Sequence, residues 1–238
     1  MGINMRRNER GNSILEFAIV MSVLIPMFAG MVTLSMALSR DIEVSSVCRD
    51  AVVLLVRSVT DPQSGLDLSQ TQNQRIIVAA ANGLNMASDA QDDPSSTGGG
   101  VVILSQVILV GPQQCDVGVV PNPSGVPNTT GPNYGWTSSN CPNYGQYVFA
   151  YRVVIGNGTR WTSTLGSPPT ADVGTNGTIS AANIAKDTSN RATNMGSGGV
   201  MTLTAGNYAL ISEMYADVSF LNLFSIWHAP VLYARSIS

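Results

Sequence analysis

A long apolar stretch near the N-terminus limits most strongly what this chain can fold into. Residues 13–38 contain a single charged side chain, Glu16, and are otherwise apolar or small. As an α-helix they would extend about 39 Å, more than the roughly 30 Å hydrocarbon thickness of a bilayer. The stretch therefore predicts a transmembrane helix over about residues 14–38. The carboxylate near its start requires an explanation.

The charges around this stretch predict its orientation and exclude one class of partner. Arg6, Arg7 and Arg10 precede it directly, which by the positive-inside rule keeps the N-terminus in the cytoplasm and exports the chain after residue 40. The formal net charge is −3 and the only lysine is Lys186. No basic face can therefore neutralise a series of phosphates, and nucleic acid is not expected as a partner.

Three interpretations of the N-terminus compete. Ser35 and Ala37 fit a signal-peptidase pattern, but the apolar region exceeds the roughly 7 to 15 residues of a signal-peptide core. An uncleaved anchor leaves Glu16 unexplained, because a charge at the membrane centre costs about 3 kcal/mol. The third interpretation is a prepilin leader, residues 1–11, in which the stretch ERGNSILE is cut after Gly11, so that Asn12 becomes the first residue and Glu16 the fifth.

The residues around this cut carry a resemblance to a known family. With Arg10, Gly11, Glu16, Phe17 and Ala18 in this order, the chain resembles the TadE-like pseudopilins, or minor pilins, of the tight-adherence (Tad) type IV pilus family. The C-terminal stretches SEMYADVSF and Tyr-Ala-Arg also resemble how TadE-like chains end. A proline usual nearer the glutamate in that family is replaced here by Pro26.

The resemblance implies a structural subunit that is stored in the bacterial inner membrane and later joins a pilus at the cell surface for attachment. Its implied partners are other pilin or pseudopilin subunits, a prepilin peptidase, the inner-membrane assembly platform and membrane lipid. Glu16 would neutralise the new α-amine of Asn12 on a neighbouring subunit. Two alternatives stay open: a Glu16 that is merely solvated at the headgroups, and an uncleaved single-pass anchor that presents an extracytoplasmic binding module or adhesin.

The helical pattern continues beyond the membrane stretch. Apolar residues recur at three- and four-residue steps, the pattern of an amphipathic helix: Val44, Val47, Cys48, Ala51, Leu54 and Leu55. Pro62 and Gly65 end the pattern. We therefore expect one stem helix over residues 12–60, with a kink or local unwinding at Pro26 and Gly30.

Residues 61–238 are expected to form an exported α+β domain. A second helix is predicted over 67–83, capped by Ser69 or Asp67. Strands are predicted at 101–110, in a hairpin at 146–164 around Asn157–Gly158, at 207–220 and at the C-terminal end. The predicted fold is thus type IV pilin-like: a stem helix packed on an antiparallel sheet of about four or five strands, with exposed, mobile Gly/Pro/Ser-rich insertions at about 85–100, 111–145 and 165–205.

Two features of the middle region allow alternatives. Cys115 and Cys141 would form a disulfide in an oxidising compartment, the alternative being two free thiols. The related stretches PNYGW and PNYGQYV make either two similar turns or an exposed aromatic patch of Tyr134, Trp136 and Tyr144 that binds a partner or glycan.

Residues for catalysis or metal binding are not recognisable. The chain has one histidine, His228, and lacks a P-loop, a GxSxG elbow and an HExxH motif. Asp89, Asp92 and Asp93 miss the EF-hand spacing and are expected to form a solvated acidic loop. We therefore predict neither enzymatic activity nor a metal or cofactor, with an exported hydrolase as a distant alternative.

Overall fold

The structure, a computed structural model, describes residues 9–60, 67–81, 84, 86, 98–117, 138–217 and 231–238, with the backbone alone for 9–13, 59 and 60. The helices and strands in these ranges are α1 (Glu9–Thr60), α2 (Thr71–Ala80), β1 (Gly100–Leu109), α3 (Pro112–Val117), β2 (Tyr147–Gly156), α4 (Ala181–Lys186), β3 (Tyr208–Asp217) and β4 (Val231–Ile237). Residues 170–172 and 188–190 form short 3-10 turns.

The first helix, α1, is one continuous helix that includes Pro26. The helix is therefore not unwound at Pro26 and Gly30, whereas the alternative of a kink there stays a prediction. A proline removes only its own N–H from the helical ladder, so neighbouring turns can keep their hydrogen bonds. One turn later, the Thr33 hydroxyl donates to the carbonyl oxygens of Ala29 and Gly30 at 3.1 and 2.9 Å, which adds polar contacts where a break was expected.

The C-terminal half of α1 packs on the sheet domain. Its buried side chains follow the predicted three- and four-residue spacing: Val44, Val47, Cys48, Ala51, Val52 and Leu55. They share a core with Leu210 and Met214 of β3 and with Ile77 and Ala81 from α2 and its C-terminal end. The expectation of a long stem helix packed on the sheet is confirmed, and the second half of α1 is part of the domain core.

The four strands form one antiparallel sheet in the order β2-β1-β3-β4. The fold is therefore α+β, with a long helix packed on an antiparallel sheet, as the sequence predicts. The α1-facing side carries Val102, Leu104 and Met214. The opposite side carries Val107, Phe149 and Ile211, which belong to a second buried cluster. Both faces of the sheet are thus covered, and β1 and β3 are the central strands.

The hairpin predicted around Asn157–Gly158 is wrong. Among the described strands, β2 lies at the edge of the sheet next to β1, and no strand directly follows it to form a hairpin. The Asn157 side chain accepts hydrogen bonds from the Thr159 hydroxyl and the Arg160 amide, which directs the chain away from β2. The segment then crosses to the face opposite α1, where Leu165 is buried. Burial of Leu165 stabilises this path of the chain. A hairpin strand beside β2 would keep Leu165 away from that face.

The segment 165–205, predicted as an exposed, mobile insertion, has many exposed residues but also a buried part, and its mobility stays a prediction. This segment packs on the face of the sheet opposite α1, where Ile179 lies in the cluster with Phe149 and Leu165. The buried amide of Asn190 donates to Asp172 at 3.0 Å and helps to hold the layer together. The predicted insertions at 85–100 and 111–145 lie largely outside the described residues.

The second helix differs from the prediction at its start. Gln70 is the N-cap of α2 and makes no side-chain cap. Asp67 instead accepts hydrogen bonds from the Ser69 amide and hydroxyl, at 2.9 and 2.7 Å, in the turn that precedes the helix. Asp67 and Ser69 therefore shape the turn that leads into α2 and do not cap the helix.

Candidate assembly site and the polar cluster of the sheet

The N-terminal half of α1 projects from the sheet domain with apolar side chains around its circumference. The exposed large apolar residues of this segment are Ile14, Leu15, Phe17, Ile19, Val20, Val23, Leu24, Ile25, Met27, Phe28, Met31, Leu34, Met36 and Leu38. By length and composition α1 contains a segment able to cross a membrane, and none of that segment is buried in the protein. A surface that is apolar on all sides is typical of a helix that lies in lipid or against other apolar helices.

Glu16 lies exposed on this apolar surface. It makes no hydrogen bond or ion pair with any part of the chain that the structure describes. The next residue, Phe17, and the preceding Leu15 are both more than half exposed. A carboxylate on an apolar surface needs a polar or charged partner, which water, headgroups or another subunit can supply.

The proposed processing residues fall at the beginning of α1. The backbone of Arg10, Gly11 and Asn12 is already helical. Arg6 and Arg7 lie outside the described residues. The roles assigned to these five residues therefore stay predictions.

The first charged pair after the apolar half marks where the helix leaves it. Arg40 and Glu43, one turn apart, form an ion pair of 2.6 Å. Beyond this pair, Val44 is the first fully buried side chain of α1. Within two turns of α1, the side chains change from exposed and apolar, through a partly exposed charged pair, to buried. This transition separates the projecting half of α1 from the half that packs on the sheet.

A buried carboxylate that sequence reasoning missed lies at the centre of the sheet. Glu213 of β3 is 1% exposed and faces away from α1. It accepts hydrogen bonds from the Ser163 hydroxyl, from the Thr164 hydroxyl at 2.6 Å and from the Tyr233 hydroxyl at 2.9 Å. Arg235 of β4 adds an ion pair at 3.2 Å. We call these five residues the Glu213 cluster.

The protonation of Glu213 is decided by opposing effects. Burial raises the pKa of its carboxyl group, but the hydrogen bonds from Ser163, Thr164 and Tyr233, together with the charge of Arg235, outweigh burial and leave the pKa below its ordinary value. The carboxylate is therefore charged at neutral pH. It connects the segment around residue 163 with β3 and β4.

The alternation of residues between the two faces of the strand SEMYADVSF could have assigned Glu213 to the face opposite α1. Leu210 and Met214 face α1, so Glu213 falls on the opposite face, which ordinarily means solvent. The structure instead covers that face with the layer formed by 157–207. A charged residue on a strand that is covered on both sides requires partners, and the cluster supplies them.

Aromatic residues extend the Glu213 cluster along the sheet. Tyr215 packs between Trp161 and Tyr233, with ring centroids 6.0 and 4.8 Å apart. The Arg160 guanidinium lies over the Trp161 ring and pairs with Asp217 at the end of β3. The contacts fix the crossing segment on the sheet, since aromatic pairs add to the energy of area burial.

The three cysteines have different environments. Cys115 and Cys141 form a disulfide in a small buried cluster with Val110 and Val148. Tyr144 packs partly buried against this cluster, whereas Tyr134 and Trp136 lie outside the described residues. Cys48 is a free, buried thiol on α1 that contacts the Ser212 carbonyl at 3.2 Å, and burial raises its pKa.

In the described ranges, no group of three or more His, Cys, Asp or Glu side chains could hold a metal ion. His228 and the acidic residues Asp89, Asp92 and Asp93 lie outside those ranges.

Together these features define a class of protein. A long helix that projects an apolar half from an α+β sheet domain is the pilin-like architecture. Residues 11–52 match the model of the family described as TadE-like protein. The resemblance seen in the sequence is thereby confirmed over this segment and is consistent with a TadE-like protein of the Tad pilus. That family consists of structural pilus components and is not known for catalysis. No curated protein and no solved structure matches the chain significantly.

Proposed function

We propose that this protein is a pseudopilin or minor pilin, processed after Gly11 and assembled through its apolar helix into a tight-adherence pilus or its base or tip. One observation carries the proposal: the TadE-like match, residues 11–52, falls on α1. This helix projects its apolar half and packs its other half on the sheet. Before assembly the helix lies in the inner membrane, with the sheet domain outside the cytoplasm.

Glu16 provides the chemical reason for assembly. Cleavage after Gly11 creates a positive α-amine on Asn12 in the same environment as the carboxylate. Each charge alone is costly in a medium of low dielectric constant, and pairing between neighbouring subunits compensates both. This explains why a residue with such a cost lies on an otherwise apolar surface.

The processing step is tested by the intact mass and N-terminal sequence of the protein from its native host. A chain that begins at Asn12 agrees with prepilin processing. A chain that begins at Leu38 indicates a cleaved signal peptide, and one that begins at Met1 or Gly2 indicates an uncleaved anchor. Either of these results contradicts the proposed processing, and the second favours the membrane-anchored binding module.

The assembly step is tested by Glu16→Gln, which keeps the size and polarity of the side chain but removes the charge. We expect cleavage and membrane insertion to continue while incorporation into the pilus is lost. Glu43→Gln is the matched control, because Glu43 lies on the same helix but makes a half-exposed ion pair with Arg40. Pili with normal content of the Glu16→Gln subunit would remove the assembly role from Glu16.

A further inference from the structure

One uncharged surface of the sheet domain plays no part in the proposed function. It is formed by residues 200–208, here called the rim, which lead into β3. Met201 and Tyr208 are exposed, and an open groove with no charged lining residue lies between them. From 192 to 212 the sequence contains no Asp, Glu, Lys, Arg or His. The rim therefore presents polar and apolar groups without a charge of its own.

The rim is held in place by backbone hydrogen bonds. Gly206 N–H donates to the Leu109 carbonyl at 2.8 Å, and Leu109 N–H donates to the Asn207 carbonyl at 3.0 Å. The Leu203 amide donates to the hydroxyl of Tyr147 at 3.2 Å. The uncharged surface is therefore a fixed part of the sheet end, attached to both β1 and β2.

The rim lies at the end of the sheet nearest the apolar half of α1. Ala234–Ser236 at the end of β4 line a groove together with Asp41 and Ile42 of α1. Ser238 exchanges two backbone hydrogen bonds of 2.9 Å with Leu210, so the beginning of β3 lies beside the end of β4. The beginning of β3, and the rim with it, therefore points toward the apolar half of the helix.

One contact between α1 and the sheet shows where the rim lies along the axis of α1. Cys48 Sγ lies 3.2 Å from the Ser212 carbonyl oxygen, which places these two residues at one level. Leu38, where the apolar run ends, is about 15 Å along α1 from Cys48. Tyr208 is at most about 14 Å from Ser212 along β3, on the side of the sheet that lies beside Asp41 and Ile42. Tyr208 thus lies at about the level at which α1 leaves the apolar stretch.

We propose that the rim binds the extracytoplasmic interface of the bilayer while α1 spans it. Tyr208 and Met201 lie about 5–10 Å into the boundary between headgroups and acyl chains, as amphipathic surfaces do. Tyrosine suits this layer because its ring is apolar and its hydroxyl is polar. Ile42 of α1, 70% exposed, and Ile237 of β4 continue the apolar contact beside the helix. The domain is thereby fixed on the membrane, and extraction into a filament must release the rim.

This inference rests on the proposed membrane storage, so the experiment separates the two. Full-length protein with Cys48→Ala and an intact disulfide is given one new cysteine, labelled with an environment-sensitive fluorophore and reconstituted into vesicles of phosphatidylcholine and phosphatidylglycerol. Thr202 in the rim and Thr159 at the opposite end of the sheet form a matched pair, since both are exposed threonines. Ser22 in the apolar half of α1 reports on membrane insertion itself. The quencher is a lipid brominated in its acyl chains near the headgroup.

We expect the labels at Ser22 and Thr202 to be quenched and shifted to the blue, while the label at Thr159 behaves as in water. Quenching at Ser22 together with equal, water-like emission at Thr202 and Thr159 would overturn the rim proposal and leave membrane storage intact. Absence of quenching at Ser22 would overturn membrane storage, and the rim proposal with it.

Discussion

Glu213 and Arg235 lie directly opposite each other on β3 and β4, with Arg235 Nη2 3.2 Å from Glu213 Oε1. The pair combines a carboxylate that is 1% exposed with a guanidinium that still reaches solvent. Ser163, Thr164 and Tyr233 complete the coordination of the carboxylate by hydrogen bonds. The cluster joins three separate segments of the chain, and its integrity should therefore affect the whole sheet domain.

Glu213→Gln should destabilise the domain by about 1–3 kcal/mol, because the neutral amide cannot accept all the hydrogen bonds that the carboxylate accepts. Asp217→Asn is the control, since its partner Arg160 is 44% exposed and an exposed pair contributes about 0–1 kcal/mol. The measurement is urea unfolding of the full chain in non-ionic detergent, followed by tryptophan fluorescence. Equal losses in the two variants would contradict a special role for Glu213.

The same carboxylate should make the stability of the domain dependent on acid pH. The pKa of Glu213 is lowered in the folded state, so below the ordinary glutamate value of about 4.3 the unfolded chain binds the proton more readily. The contribution of Glu213 is present above that pH and is lost as pH falls through the folded pKa. Unfolding curves from pH 7 to pH 3 should show the loss, and Glu213→Gln should reduce it. An unchanged slope in the variant would assign the acid sensitivity to other groups.

The packing of α1 on the sheet can be tested with two neighbouring valines. Val52 is buried in the core shared with β3, whereas Val53 is 45% exposed on the same turn. Val52→Ala should cost about 2 kcal/mol through lost burial and a residual cavity. Val53→Ala should change the free energy of unfolding by less than about 0.5 kcal/mol. Both changes affect helix propensity equally, so a similar effect of the two would contradict the packing of this face against the sheet.

The disulfide should stabilise the segment between α3 and β2. Cys115 and Cys141 are separated by 26 residues, and closure of such a loop contributes about 3 kcal/mol on the chain-entropy model. Reduction should raise the intact mass by about 2 Da and lower the unfolding midpoint. Cys48→Ala is the control, because this buried thiol forms no disulfide and its loss should leave the mass change on reduction unaltered. Free thiols at Cys115 and Cys141 before reduction would contradict the bridge.

Several elements of the fold could be predicted because their cause is local. The apolar run of residues 13–38, the spacing from Val44 to Leu55 and the β-branched stretch of β1 each indicate a helix or a strand without knowledge of the rest of the chain. The extent of α1 and the α+β architecture follow from these patterns. Glu16 is recognisable for the same reason, since a charge inside an apolar run is visible in the sequence itself.

The sequence-based predictions differed from the structure where a local turn or loop signal competed with contacts to distant parts of the chain. Asn157–Gly158 is a strong turn signal, yet the chain leaves β2 because Leu165 and Ser163 find partners on the opposite face of the sheet. The segment 165–205 has the composition of a loop, but it buries Ile179 and Ala185 and forms a layer of the domain. Composition measures average polarity, whereas a few well-placed apolar residues decide whether a segment packs.

By itself the sequence determined that the N-terminal half of the long helix is apolar on all sides, and that this half carries a single charged residue, Glu16. Periodicity and hydrophobicity are properties of neighbouring residues, so no folded structure was required for either conclusion. Only the tertiary structure decided that Glu213 is buried and meets Arg235, Ser163 and Thr164, and that the uncharged rim lies beside the end of the apolar helix. These relationships join residues far apart in the chain, and they depend on the order of strands in the sheet and on the layer that covers its second face.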